Sequence, residues 1–432
     1  MGNVKASESR AAGGPREAAL AVVRRLVEAG HTALFAGGCV RDELLGLTPA
    51  DFDVATSARP EQVRALFRSS RAVGAHFGVV LVRVNKVAVE VATFRSDGAY
   101  SDGRRPDAVC FSTPEQDAQR RDFTVNGLFY DPLADRVIDY VGGRTDLQAG
   151  VLRAIGEPSA RLAEDHLRLL RAVRFACRFD LEIEPRTWSA ICEQSGGLRG
   201  VSNERLLDEL TKLAGLPSSS LRGRSTTASE RRARAVELLS SAGLLGWVLP
   251  GWTADTAAVG RAAAMMHAMQ GPMSVCLMLA GWLGPGEAGC RVGGAIAHHL
   301  RMSTAQRRSL VWLLSHAGRL LESPGLSDLR RLRGDANWPE LLCLSQACCS
   351  VSGEGGAALE TNLERLRPYA TTEAALPAPL VDGAALLARG WTSGPALGAV
   401  LQELYRRQLD EQISTVEEAL AWAEGQRGGA PT

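Results

Sequence analysis

The sequence is most informative first in what it lacks. No apolar run in its 432 residues reaches membrane-spanning length, so no transmembrane helix and no membrane partner are expected. The formal net charge is only +1, which excludes a broadly basic chain but leaves room for a local basic surface. The nine cysteines contain no CxxC pair and no zinc-ligand spacing, and Cys348-Cys349 is only a doublet. Without a recognisable signal sequence they read as reduced thiols of a cytoplasmic protein. The seven histidines include His298-His299 but no His–Asp cluster of the hydrolase kind. Met1-Gly2 opens like a myristoylation signal, yet Ala6 stands where Ser or Thr is required. There is no internal repeat.

A chain of 432 residues exceeds one ordinary core, so two to four domains are expected. Residues 1–15 are polar and Gly/Ala-rich and read as a disordered arm. From 16 to 155, helical and strand patterns alternate. Glu17 to Ala29 is an amphipathic helix, and Arg59 to Phe67 is a helix with Pro60 in its first turn. Leu34 to Ala36, Phe52 to Ala55, Gly78 to Val84, Lys86 to Thr93 and Val137 to Tyr140 read as strands, with a hairpin at Asn85-Lys86. From Ser159 onward the period becomes helical, with helices over Ser159 to Phe179, Pro185 to Gln194 and Asn203 to Ala214. Pro217 to Arg234, rich in Ser, Thr and Arg, reads as an exposed basic loop or a disordered insertion. Breaks at Gly284-Pro285-Gly286, Ser352 to Gly356 and Pro377 to Pro379 divide the helical remainder.

The chemistry concentrates in Leu34-Phe-Ala-Gly-Gly-Cys-Val-Arg-Asp42, followed by Asp51-Phe52-Asp53. The first stretch reads as strand, glycine turn and helix start. In a strand, residues i and i+2 share a face, so Asp51 and Asp53 would project together with Phe52 turned inward. Two such carboxylates repel unless a cation lies between them, and Mg²⁺ suits oxygen ligands of this kind. Gly37 and Gly38 allow close backbone approach, and a helix beginning near Val40 offers N–H groups to an anion. A metal site beside a phosphate cradle points to nucleotidyl transfer.

Glu90, in an otherwise apolar strand, is either a third carboxylate of that site or one half of a buried pair with Arg83 or Arg95. Tyr100-Ser-Asp-Gly-Arg-Arg-Pro106 is a mobile turn or a moving active-site loop. Arg120-Arg121-Asp122-Phe-Thr-Val-Asn126 offers planar forks to phosphates and an acceptor to a ribose hydroxyl, or else ordinary ion pairs. Asp165 and Arg168 lie three apart on a helix, as a surface pair or as a base reader. An Asp accepts from an exocyclic amine and an Arg donates to a ring acceptor. Such a pair would take CTP and ATP and refuse UTP and GTP.

Taken in order, these segments resemble the class II branch of the nucleotidyltransferase superfamily, the bacterial-type CCA-adding tRNA nucleotidyltransferases and poly(A) polymerases. The likeness runs from about Leu34 to Leu213. It rests on Gly37-Gly38-X-X-Arg41-Asp42, Asp51-X-Asp53, Glu90 in its strand and Asp102-X-Arg104-Arg105-Pro106. It continues through Arg120-Arg121-Asp122, Asp139-X-X-Gly142-Gly143-X-X-Asp146-Leu147, Glu164-Asp165-X-X-Arg168-X-X-Arg171 and Asn203-Glu204-Arg205-Leu. Gly394 to Ile413 also looks like the tail helices of bacterial members.

The resemblance implies an α+β fold: a polymerase-β-like head with a mixed sheet over 16–155, then an all-α neck (156–235), body (236–376) and tail (377–432). It implies Mg²⁺ on Asp51 and Asp53, with Glu90 beside them as a third catalytic carboxylate. Gly37, Gly38, Arg41, Arg121 and Asn126 would serve the nucleotide, Asp122 its ribose, and Asp165 and Arg168 its base. Glu164 and Arg171 would hold that base-reading pair, and Asp102, Arg104 and Arg105 would support the reaction from their loop. The partners implied are CTP, ATP and an RNA 3′ end, tRNA first, rather than DNA. Val73-Gly-Ala-His-Phe-Gly-Val-Val80 is closer to the CCA-adding pattern than to that of poly(A) polymerases, and the Asp-X-Arg-Arg-Pro loop is typically missing from enzymes that add only cytidines. CCA addition is therefore the first expectation, with poly(A) or A-only addition second.

Overall fold

The computed structural model describes residues 14–73, 78–97 and 109–426. The N-terminal arm to residue 13, residues 74–77 of the Val73–Val80 stretch, and the loop with Asp102, Arg104 and Arg105 lie outside the described residues. The chain divides into two compact units at Pro250 and Gly251.

The first unit begins with α1 (Pro15–Glu28), whose Ala18, Ala19, Val22, Val23 and Leu26 form one buried stripe at helical spacing. Strand β1 (Ala33–Ala36) is buried throughout, and α2 (Gly38–Leu44) follows it directly. Then come β2 (Val54–Thr56), α3 (Pro60–Leu66), β3 (Ser70–Ala72), β4 (Val79–Val84) and β5 (Val87–Thr93). Next are a separate strand pair, β6 (Arg95–Asp97) with β7 (Val109–Phe111), the short helix α4 (Pro114–Gln119), β8 (Leu128–Asp131) and β9 (Arg136–Asp139). The main sheet has seven strands in the order β3-β4-β5-β2-β1-β8-β9. It is mixed: β2 and β5 are parallel, and the other neighbours are antiparallel. The β4–β5 hairpin closes at Asn85 and Lys86, both at positive φ (50° and 69°), as a tight two-residue turn requires.

Helices continue the unit with α5 (Gly143–Ala149), α6 (Pro158–Glu164), α7 (Leu167–Phe179), α8 (Pro185–Glu193) and α9 (Asn203–Ala214). The second unit is helical from Thr256–Ala268 to Val416–Gln426. Near its end Val381, Leu386, Leu397, Leu404 and Ile413 form a buried cluster, with Trp391 and Trp422 packed against it. Among the described residues no helix is long and apolar enough to cross a membrane.

Three expectations need correction. Asp51 and Asp53 do not lie in a strand; they precede β2 outside any regular element, with Asp53 C=O accepting from Ala36 N–H. The helix expected over Ser159 to Phe179 is two helices, broken at Asp165, which is extended (φ −152°, ψ 100°). Its own carboxylate accepts from Leu167 N–H at 3.1 Å, a local bond that competes with the helix ladder. Finally, 217–234 is neither exposed loop nor insertion. It is a hairpin, Ser219–Leu221 with Arg224–Thr226, running into a helix at Ala228–Ser241. Arg222 and Arg224 lie exposed in the hairpin, but Arg231 and Arg232 turn inward, 1% and 0% exposed. Arg231 donates to Pro217 C=O and Asp180, while Arg222 and Arg234 donate to carbonyls at the end of α7. Carbonyls left unpaired by a helix end explain why so many donors gather there.

Candidate active site

The turn after β1 is dictated by its backbone. Gly37 has φ +71°, and a Cβ on it would lie 2.5 Å from Arg121 Nη1. Only glycine fits without strain. Gly38 is different, since a Cβ there meets nothing closer than 3.6 Å. We expect Gly37→Ala to cost about 1–3 kcal/mol of stability, and Gly38→Ala less than about 1 kcal/mol, as paired denaturant melts would show. Between this turn and Asp53, Cys39 is buried, and burial first of all pushes its thiol up to about 11, so it stays protonated.

Helix α2 directs Arg41 inward, where it is 4% exposed. Its Nε and Nη2 donate to Asp42 Oδ1 at 2.8 and 2.6 Å, and Nη1 donates to Asn126 Oδ1. Asn126 Nδ2 in turn donates to Asp122 Oδ1 at 2.9 Å. The other oxygen of Asp122 accepts from Arg171 Nε and Nη2 at 2.8 and 2.6 Å. Burial opposes the charge on Asp122, but Arg171, the Asn126 hydrogen bond and nearby Arg168 together hold its carboxyl well below the usual carboxylate range. Arg41, Arg171 and Arg174 all approach the Phe175 ring, at 5.3, 5.1 and 4.3 Å.

The 3₁₀ turn that carries Asn126 (Thr124–Asn126) is fixed from behind by the Asp139 to Asp146 motif. Asp139 accepts from the N–H groups of Val141, Gly143 and Arg144. Buried Asp146 accepts from Thr124 Oγ1 at 2.7 Å. A Cβ on Gly143 would lie 2.1 Å from Thr124 C=O, so that glycine lets α5 pack on the turn.

Arg120 and Arg121 are both ion-paired and site-lining. Asp117 on α4, 1% exposed, accepts from Arg120 through Oδ1 at 2.8 Å and from Arg121 through Oδ2 at 3.0 Å. It splays two forks from one anchor. At the break between α6 and α7, Asp165 accepts from Arg205 Nη1 and Nη2 at 3.1 and 2.6 Å. Arg168 Nη1 donates to Glu164 Oε2 and to Arg161 C=O, each at 2.6 Å. Arg174 donates to buried Glu209 on α9 at 2.6 Å.

The carboxylates form an open edge. Glu90 is exposed, not paired with Arg83 or Arg95 as an interior ion pair would be. Val54 pairs with Val91 in parallel register, which aligns Asp53 with Glu90 one position earlier. Burial raises the Asp53 carboxyl first, Asp51 and Glu90 raise it further, Arg121 lowers it, and the result is about 6. Mutually repelling carboxylates of this kind fit a divalent cation. Among the described residues no three ligating side chains close a metal cage.

The nine residues expected to serve the nucleotide, Gly37, Gly38, Arg41, Arg121, Asp122, Asn126, Asp165, Arg168 and Arg171, line one cleft of about 480 Å³. Arg120 and Phe175 complete its wall. Five arginines against two aspartates make it a strongly cationic pocket. Sequence reasoning missed Asp117, Arg161 and Glu209 and assigned no role to Arg205. The only signals were Asp117 three and four residues before Arg120 and Arg121, and acids or bases repeating at helical spacing.

A mixed sheet with this glycine turn and carboxylate edge, followed by helices, defines a nucleotidyltransferase head with a helical body. Residues 33–153 match the poly A polymerase head domain, and 180–220 match the family described as a probable RNA and SrmB-binding site of polymerase A. The chain carries that head domain and is homologous to bacterial poly(A) polymerases I and CCA-adding enzymes. It is 45% identical over 208 residues to poly(A) polymerase I of Salmonella typhi, covering 46% of this chain and 45% of that protein. It is 40% identical over 238 residues to the CCA-adding enzyme of Geobacillus stearothermophilus, 55% of each. These alignments span about half the length of the relatives. The solved structure of the Bacillus stearothermophilus CCA-adding enzyme in complex with CTP superposes with a TM-score of 0.76 at 26% identity, over 97% of this chain and 100% of that one.

Proposed function

We propose that this chain is a template-independent RNA nucleotidyltransferase that adds CMP, CMP and AMP to the 3′ end of tRNA, releasing pyrophosphate. The observation that carries the reading is that Asp165 and Arg168 both line one arginine-rich cleft. Arg205 holds Asp165 in place as an acceptor, and Glu164 orients Arg168 as a donor. Cytosine and adenine both present an amine beside an acceptor, whereas uracil and guanine present a carbonyl to Asp165. The structural neighbour was solved with CTP.

In this reading residues 16–155 are the catalytic head and 156–235 the base-reading neck. Arg41, Arg120 and Arg121 face the triphosphate, with Asp117 fixing the spread of the last two. Asp122 reads the ribose hydroxyl by sharing an oxygen that already accepts from the protein. Arg171 and Asn126 keep that carboxylate ionised and still. Asp51 and Asp53 would hold Mg²⁺, with Glu90 adding negative potential beside them. A bound divalent cation supplies charge neutralisation at the reacting phosphate and a more acidic RNA 3′-hydroxyl. The protein's share is positioning and electrostatics, with no side-chain base required. We place the chain in the cytoplasm, whose reducing conditions suit its nine cysteines.

The test is incorporation of each labelled nucleotide alone, with Mg²⁺ and tRNA lacking its CCA or ending in CC. We expect CMP on the first RNA, AMP on the second, and neither UMP nor GMP on either. Because poly(A) polymerase I is among the relatives, sustained AMP addition to both RNAs, without CMP, would move the assignment to ATP-only tailing.

A further inference from the structure

We infer that Arg161 is a positioning residue for base selection, the strut that fixes the base-reading turn to the helix carrying the phosphate-facing arginines. This rests on the reading of Asp165 and Arg168 given above. Arg161 lies on α6, outside the motifs that carry the family likeness. Its guanidinium reaches its own helix end, the end of α4 and the segment before α6. Nη1 donates to Glu164 Oε2 at 2.9 Å, Nη2 to Gln119 C=O at 2.7 Å, and Nε to Ile155 C=O at 3.1 Å. Its own carbonyl accepts from Arg168 Nη1 at 2.6 Å.

Those contacts join both ends of the nucleotide cleft. Glu164 and the Arg161 carbonyl between them engage Arg168 Nη1, which leaves Nε and one N–H of Nη2 to meet a base. Gln119 is the last residue of α4, whose Asp117 anchors Arg120 and Arg121. A second tie runs the same way, weakly, from Arg168 Nη2 to Arg120 C=O at 3.5 Å. Arg161 therefore sets how far the base-reading donor stands from the triphosphate donors. A nucleotide held at its triphosphate presents its base at a fixed distance, so discrimination needs the donor held there too. The planar fork suits the task, because one rigid group reaches three acceptors at once.

The test uses the full chain with Mg²⁺ and no RNA, so that binding is read without turnover. Affinities for CTP and UTP are measured for wild type, Arg161→Gln and Arg161→Lys, with thermal melts alongside. Wild type is expected to prefer CTP. Arg161→Gln should narrow the CTP-to-UTP preference roughly tenfold, mainly through weaker CTP binding. Arg161→Lys should recover only part of it, since an ammonium cannot span the three acceptors. A residue that merely stabilises the fold would weaken both nucleotides by the same factor. Equal weakening, or no change, would overturn the inference while leaving the base reader intact. A wild type that binds UTP as well as CTP would sink the base reader and this inference with it. If Arg161→Gln does not fold, the lysine variant decides: a selective loss for CTP supports the strut, and an equal loss refutes it.

Discussion

Asp53→Asn should lower single-turnover incorporation by at least about a thousandfold while the cleft still binds CTP. Asp53 sits at the carboxylate edge, and it is not among the residues lining the cleft proposed for the nucleotide. The same substitution should raise the melting temperature of the metal-free protein. The Asp53 carboxyl is pushed up to about 6, first by burial and then by Asp51 and Glu90, against partial relief from Arg121. Its unfolded value is about 3.9. An acid raised in this way favours the fold fully below that unfolded value, and the advantage is lost as pH rises through about 6. At neutral pH the ionised group therefore opposes folding until a cation arrives, and Asn removes that opposition. Strain of this kind is the usual cost of a functional site. A variant that lost CTP binding or melted lower would mark Asp53 as a structural residue instead.

The second large effect is expected at Asp122, where the cost is to stability. Asp122→Asn leaves the half-buried Arg171 without the charge of its closest carboxylate partner, and the loss is expected to cost about 1–3 kcal/mol, below the full cost of breaking a buried pair. The pH dependence has the opposite sign from that of Asp53. Burial would raise Asp122, but Arg171, Asn126 and Arg168 outweigh it and hold the carboxyl far down. The stability it contributes is present above the unfolded value of about 3.9 and is lost only as pH falls through the lower folded value. Urea titrations at pH 7 and in steps below pH 4 should show an acid-dependent loss in wild type that Asp122→Asn largely lacks. Equal slopes would mean that the Asp122–Arg171 pair contributes little to folding.

Much of the cleft was legible because its residues sit in short ordered motifs with their roles set by residue type. Gly37, Arg41, Asp122 and Arg171 could be named from spacing and from the family likeness, and the fold brings them together. The supports were not legible, because they come from elsewhere in the chain. Arg205 reaches Asp165 across 40 positions, and Glu209 reaches Arg174 across 35. No local period records such contacts. The helix break at Asp165 has the same origin. The sequence around it lacks Gly and Pro and propagates helix well, yet a side-chain bond to Leu167 N–H and the pull of Arg205 override that propensity. The basic stretch at 217–234 misled for the converse reason. Arginines that look solvated in a sequence can be the donors that satisfy a buried helix end, as Arg232 and Arg234 do.

The proposed function requires that Asp165 and Arg168, in the cationic cleft, choose nucleotides without a template and that addition then stops. The most direct test is the order and length of product formed on tRNA lacking CCA, with CTP and ATP supplied together in a single-turnover time course. The account requires two cytidines, then one adenosine, then no further growth. Long adenosine tails on that RNA or on an unstructured oligoadenylate would contradict it and identify an ATP-only polymerase built on the same head.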